Sequence, residues 1–148
     1  NALHYQGSGM THLEVFKTAD DELVFLEIAA RAGGAYLSKL YKRYLNIDLY
    51  ETHFLLQINP NISIDFNNKG AYSAHIWFPS KSGVVESINS FSLKSNFELI
   101  LHAKVGQCIE KSKILHEKSA EVVLWNDNFE TLYDDFCYLK KLHLINIV

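Results

Sequence analysis

Two β-patterned runs joined by a polar turn, inside THLEVFKTADDELVFLEIAARAGGA at Thr11–Ala35, constrain this chain more than any other feature. Met10 to Lys17 alternates and is rich in β-formers, Thr18 to Glu22 is polar, and Leu23 to Ala30 is strand-like again, the signature of a β-hairpin. With Ala19 to Glu22 as the loop, Thr18 pairs with Leu23, so Glu14 faces Glu27 and His12 faces Ala29. Period-two alternation then puts His12, Glu14, Phe16, Phe25 and Glu27 on one face and Leu13, Val15, Val24, Leu26 and Ile28 on the other. The second face reads as core, and the first carries the chemistry.

Directly opposed strand residues have Cβ atoms about 4.5–5.5 Å apart, and like charges there repel by up to about 1 kcal/mol. Either one carboxyl keeps a proton because of its neighbour, or a hard divalent cation with oxygen ligands sits between the two. A hairpin slipped by one residue, or carboxylates splayed into solvent, would remove the conflict altogether. Arg31-Ala32-Gly33-Gly34-Ala35 follows the second strand directly and leads into a helical pattern near Tyr36. Glycines let backbone amides approach an anion closely, and a helix N-terminus adds a favourable partial charge. Arg31 supplies a fork of donors suited to phosphate or carboxylate.

Gly9-Met10-Thr11-His12-Leu13-Glu14, then the hairpin, then Leu26-Glu27-Ile28-Ala29-Ala30-Arg31-Ala32-Gly33-Gly34 resembles the end of the ATP-grasp catalytic domain, in the branch of amino-acid ligases and other carboxylate-amine ligases. Biotin carboxylase and the purine-biosynthetic carboxylases are more distant relatives. The resemblance implies an α+β fold, an antiparallel sheet with flanking helices as the C-terminal lobe of an ATP-grasp domain, plus a small β-rich extension. It implies an enzyme that phosphorylates a carboxylate with ATP and passes the acyl phosphate to an amine. Position by position, Glu14 and Glu27 match the ligands of Mg²⁺ (or Mn²⁺) at the nucleotide, Arg31 an arginine that contacts the transferred phosphate or substrate, and Gly33 and Gly34 the substrate-side loop. His12 matches a histidine lining the site.

Two departures accompany the match. Ala29 stands where many members carry Asn, a further metal ligand, and the nucleotide-binding lysines, the phosphate loop and the N-terminal domain would precede Asn1. The expectation is therefore a piece of a longer ligase, inactive alone, whose partners are ATP, a small carboxylate or amino acid, and its own upstream domains. A homodimer is compatible with this reading. The competing readings are a biotin-carboxylase-like or purine-pathway carboxylase, and a non-catalytic module in which Ala29 marks a decayed metal site. The lack of a starting Met and of any element before Gly9 fits an excised piece, with Asn1 and Ala2 as a vector remnant.

Tyr36 to Asn46 places Leu37, Leu40, Tyr41, Tyr44 and Leu45 on one helical stripe, leaving Lys39, Lys42 and Arg43 as a solvated basic face. A second helix starts at Asp48, with Glu51 completing a capping box, and ends before Asn59-Pro60. Ile47-Asp48-Leu49 echoes the family's Gly-Val-Asp step, with Asn46 where Gly is usual. Residues 1–58 read as the end of the catalytic domain and 59–148 as a small α+β subdomain. There, punctuation at Asn67-Asn68-Lys69-Gly70 and Pro79-Ser80-Lys81-Ser82-Gly83 flanks a strand from Ala71 to Phe78, expected to form a hairpin with Val84 to Ile88. Phe97 to Val105 and Ala120 to Trp125 read as strands. Asp127 with Glu130 caps a helix with Phe129, Leu132, Tyr133, Phe136 and Leu139 on its apolar side, before a last strand, Leu144 to Val148.

Composition narrows the partners. A formal charge of -3 without any Lys/Arg-rich block disfavours nucleic acid, and no apolar run approaches the roughly 20 residues that cross a bilayer. Cys108 and Cys137 read as free, buried thiols of a cytoplasmic protein. His4, His53, His75, His102, His116 and His143 lack zinc-motif spacing and read singly as surface or packing residues, and Ser80, Ser82 and Ser119 lack a nucleophile-elbow setting.

Overall fold

A computed structural model of the chain describes residues 7–67, 69–114 and 117–148. Asn1, Ala2, His4, Asn68 and His116, singled out above, lie outside the described residues. The chain forms two compact units, Asn1–Gly70 and Ala71–Val148.

The first unit opens with the hairpin of β1 (His12–Lys17) and β2 (Leu23–Ala29), followed by α1 (Leu37–Leu45) and α2 (Leu49–Ile58). Its turn is tighter than the four-residue loop expected. Thr18 N–H donates to Glu22 C=O at 2.9 Å, Asp21 N–H donates to Thr18 C=O at 3.2 Å, and Asp21 sits in the left-handed region at φ 63°. That is a three-residue hairpin loop closed by a left-handed residue. It starts the register with Lys17 opposite Leu23, and a bulge at Leu26 shifts it so that Glu14 meets Glu27 and His12 meets Ala29. The expected pairing of the carboxylates therefore holds, while beyond the bulge Val24 lies across from Phe16 and Phe25 from Val15, reversing the faces assigned to Val24 and Phe25.

The expectation that one hairpin face is core is overturned. Leu13, Val15, Val24 and Leu26 are 54%, 43%, 48% and 48% exposed, because β1 and β2 form a two-stranded sheet by themselves. The unit's core lies beside them, where Ala32, Ile47 and Leu49 are buried with Met10, Leu37, Leu45 and Ile64 packed around. Asp48 is the N-cap of α2, its Oδ1 accepting from Tyr50 N–H at 3.0 Å and Glu51 N–H at 3.2 Å, with the Ser38 hydroxyl at 3.3 Å. The bond from the Glu51 amide is the largest cause holding this carboxyl below its ordinary range, against the opposing effect of burial. Asn46, in left-handed conformation at φ 55°, ends α1 where glycine is usual, a backbone region asparagine tolerates well.

The second unit contains β3 (Tyr72–Pro79), β4 (Gly83–Ile88), β5 (Asn96–Leu101), β6 (Cys108–Ile109), β7 (Lys118–Asn126), α3 (Phe129–Lys141) and β8 (Ile145–Ile147). The strands form two three-stranded antiparallel sheets, in the orders β3-β7-β5 and β6-β4-β8. This corrects the expected hairpin: β3 pairs with β7, and β4 pairs with β6 and β8. Gly83 explains the parting of β3 and β4. At φ 139°, with its missing Cβ directed at the Val148 carbonyl 2.6 Å away, it seats β4 tightly on the segment containing β8.

Helix α3 packs on the β3-β7-β5 sheet over a core of Val122, Leu124, Leu132 and Leu139. Its N-cap is Asn128, whose Oδ1 accepts from Thr131 N–H at 2.9 Å, and not Asp127 as the capping pattern suggested. Phe129 and Tyr133, expected on the apolar side, are 49% and 51% exposed. Asp135 instead turns inward, accepting from Ser95 N–H at 2.7 Å and Lys94 N–H at 3.3 Å. Cys108 is free and exposed, against the expected burial, because it lies on the two-residue strand β6; Cys137 is free and half-buried. Among the described residues, no helix is long and apolar enough to cross a membrane.

Candidate functional site

The hairpin pairs the two carboxylates, and the loop after it packs Gly33 against His12. Glu14 and Glu27 are direct cross-strand partners, with His12 two residues before Glu14 on the same face. His12 Nδ1 lies 3.8 Å from Glu14 Oε1, and the two side chains are 25% and 40% exposed. That nitrogen is buried and has no hydrogen-bond partner among the described residues. A buried polar atom without a partner costs free energy unless something at the site meets it.

Beyond β2 the chain turns sharply, Arg31 N–H donating to Ala29 C=O at 3.0 Å. The Arg31 guanidinium then folds over its own loop, Nη1 donating to Ala32 C=O at 3.1 Å. The two glycines do different work. A Cβ on Gly33 would stand 2.8 Å from Leu37 Cδ1 and 3.7 Å from the His12 ring, so this glycine lets the loop close against the helix and the imidazole. A Cβ on Gly34 would meet only Arg31 Nη1, at 3.9 Å, so its backbone stays open to an incoming group. Helix α1 begins three residues later, at Leu37, without a side-chain cap, which leaves its N-terminal end able to receive an anion.

Oxygen donors from opposed carboxylates suit a hard divalent cation. Mg²⁺ in particular takes one or two protein carboxylates and keeps its other positions for water and substrate phosphates. Glu14 and Glu27 fit that requirement, and Ala29 offers no further ligand. Among the described residues no group of three or more His, Cys, Asp or Glu could hold a metal ion, so a cation here would draw most of its coordination from elsewhere.

The second unit holds a polar cluster that spacing along the sequence did not reveal. The Glu121 carboxylate, on the central strand β7, accepts from His75 Nε2, His102 Nε2 and Lys118 Nζ, each at 2.8 Å. Trp77 Nε1 lies 2.8 Å from His75 Nε2 and 3.2 Å from its Nδ1; since Nε2 donates to Glu121, Nδ1 is the ring nitrogen that can accept from the indole. Lys118 Nζ also lies 4.2 Å from the Trp77 ring centroid. In an unbroken strand, residues three apart face opposite ways, and a bulge at Ser119 undoes this: Phe78 pairs with Ala120 and Pro79 with Lys118, so Lys118 joins the face of Glu121. Burial, the largest single influence, raises the Glu121 pKa, but the bonds from Lys118, His102 and His75 outweigh it and hold the carboxyl at about 2. The only hint in the sequence was a glutamate inside the otherwise apolar run Ala120 to Trp125.

No protein-family model matches the chain. Over 59 residues it is 34% identical to an L-arginine-specific L-amino acid ligase of Bacillus subtilis, a match covering 38% of this chain and 14% of that protein. In fold it is similar to the crystal structure of an L-amino acid ligase from Bacillus licheniformis, with a TM-score of 0.63 and 14% identity over 93% of this chain. It is also similar to N5-carboxyaminoimidazole ribonucleotide synthetase from Thermotoga maritima, with a TM-score of 0.55 and 16% identity over 96% of this chain. The chain spans 35% and 38% of those two structures. Its fold is that of the C-terminal part of an ATP-grasp enzyme.

Proposed function

We propose that this chain is the C-terminal lobe of an ATP-dependent carboxylate-amine ligase, in which Glu14 and Glu27 hold the Mg²⁺ associated with the nucleotide. The observation that carries the reading is the cross-strand pairing of Glu14 with Glu27, one turn of chain before the Arg31 loop. Two carboxylates in that register repel, and a protein retains such a pair where a cation neutralises both. When bound, the metal would neutralise charge on the transferred phosphoryl group. The chain's own part is to orient. Arg31 offers donors to the phosphate or the carboxylate, the open Gly34 backbone admits the substrate, and Gly33 keeps the loop against α1 and His12. His12 Nδ1, buried without a hydrogen-bond partner among the described residues and 3.8 Å from Glu14 Oε1, would meet a polar group brought in with the substrate or the metal. Amino acids are the substrates to try first, given the name of the Bacillus subtilis relative.

The test is ATP-driven phosphate release by the full-length parent with Mg²⁺ or Mn²⁺ and mixed amino acids, comparing wild type with Glu27→Gln. Substrate-dependent release should fall by about 10²-fold or more in the variant. Thermal stability should hold or rise slightly, because a like-charge pair of up to about 1 kcal/mol is relieved. Equal release by both proteins would overturn the assignment, as would appreciable ligation by the 148-residue chain alone. Ala29, which cannot ligate a metal, favours a second reading, a regulatory module with a decayed site. A folded parent that releases no phosphate with any substrate mixture would select it.

A further inference from the structure

A cavity of about 390 Å³ opens in the second unit between the end of α3, the first sheet and the second sheet. Its walls are mainly apolar and come from separate elements: Ile76 and Phe78 on β3, Leu139 on α3, Ile109 on β6 and Ile147 on β8, with Ser119 and His143 among the polar lining residues. Interiors are otherwise close-packed, and a volume of this size falls within the roughly 300–1,000 Å³ range of small-molecule sites. Lys81, Lys140 and Lys141 also line it, and none of its described lining residues is acidic.

Lysines in the last turn of a helix have an ordinary purpose, since they compensate the carbonyl end of α3. Lys81 does not share that explanation. It comes from the loop between β3 and β4, and that loop is tied down on both sides. Ser80 N–H donates to Ser112 Oγ at 2.7 Å, Ser112 N–H returns to Ser80 C=O at 3.0 Å, and Lys111 N–H donates to Ser82 Oγ at 3.0 Å. The opposite rim is fixed as well, with Asn89 Nδ2 donating to His143 C=O at 2.7 Å just after the α3 lysines. Lysines from two unrelated elements thus line one largely apolar cavity whose edges are both anchored, although Lys140 Nζ itself lies 5.6 Å from the Phe136 ring, which is outside the lining.

We propose that this cavity binds a free, soluble carboxylate with an unbranched apolar tail, the tail between the two sheets and the carboxylate at the mouth beside Lys81 and Lys141. The site does not depend on the ligase reading, because every residue it uses lies in the second unit. The apolar wall supplies most of the affinity, and the lysines select the sign of the head group.

The experiment is an NMR titration of the isotope-labelled 148-residue chain with octanoate, with octyltrimethylammonium and with anionic phosphatidylglycerol vesicles as the other arms. Octanoate should give saturable shifts centred on Phe78, Ile109 and Ile147, at an affinity about fivefold or more above that of octyltrimethylammonium. Lys81→Gln combined with Lys141→Gln should remove that preference and leave the weaker cationic ligand unchanged. Ile109→Trp, which fills the hole from the short edge strand β6, should abolish both. No saturable shift up to about 10 mM octanoate would overturn the proposal. Equal binding of both head groups, or binding to vesicles alone, would overturn it too. Each variant is scored only against its own dispersed, folded spectrum, and should Ile109→Trp fail to fold, the lysine pair alone decides.

Discussion

Glu121 is a carboxylate whose surroundings settle its charge. Burial favours the neutral acid, yet three donors at 2.8 Å hold its pKa at about 2, below the ordinary 4.5. A pKa lowered by folding contributes stability that is fully present above the unfolded value of 4.5 and is lost as pH falls through about 2. The contribution is on the order of 3 kcal/mol, with His75, His102 and Lys118 as the groups that face it. Glu121→Gln should therefore lower the urea midpoint at pH 7, and the gap to wild type should narrow as pH drops from 4.5 towards 2. A gap constant across that window would show that packing, and not ionisation, sets the cost.

Among the elements, the β1–β2 hairpin reaches its register by two departures from regularity. The left-handed Asp21 closes the short loop, and the bulge at Leu26 shifts the pairing so that Glu14 meets Glu27. Asp21 also pairs with Lys17 at 2.7 Å, but both side chains are largely exposed and such a bridge contributes little. Backbone conformation should thus decide substitutions at this position. Asp21→Gly should leave urea stability unchanged or raise it by up to about 1 kcal/mol, whereas Asp21→Val, β-branched in a left-handed site, should lower it by about 1–2 kcal/mol. If the two variants melt alike, the turn described here does not govern the hairpin. The same device recurs at Ser119, where a single residue extra to the β3 register turns Lys118 towards Glu121.

Across the whole molecule, exposed apolar surface concentrates on the hairpin, where Phe16, Leu23 and Phe25 are 59%, 70% and 62% exposed, and on α2, where Phe54 and Ile58 reach 60% and 66%. A two-stranded sheet with apolar residues on both faces and two open edges is poorly suited to water. The chain spans only about a third of the solved structures it resembles. The isolated chain should accordingly self-associate as concentration rises. Phe16→Lys with Phe25→Lys should return it to a monomer without altering its far-ultraviolet circular dichroism. Sedimentation velocity decides the matter, and a wild-type chain that stays monomeric throughout would refute it.

What the sequence determined by itself was local. Alternation marked β1 and β2, Asp48 announced the start of α2, and the motif around Glu14, Glu27 and the Arg31 loop pointed to the ATP-grasp fold. Even the pairing of the two glutamates was readable, because the Leu26 bulge offsets the difference between the four-residue loop the pattern predicts and the shorter loop that forms. Tertiary structure alone decided the partner of β3, because β7, about forty to fifty residues away in the register, competes on equal hydrogen-bonding terms with the nearby β4. It also decided which way Lys118 points, how His75 and His102 converge on Glu121, and where the cavity beneath Lys81 opens. The physical reason is common to all four. Strand periodicity fixes which residues share a face, whereas the choice of neighbouring strand and the placing of a bulge depend on contacts between residues far apart in the chain.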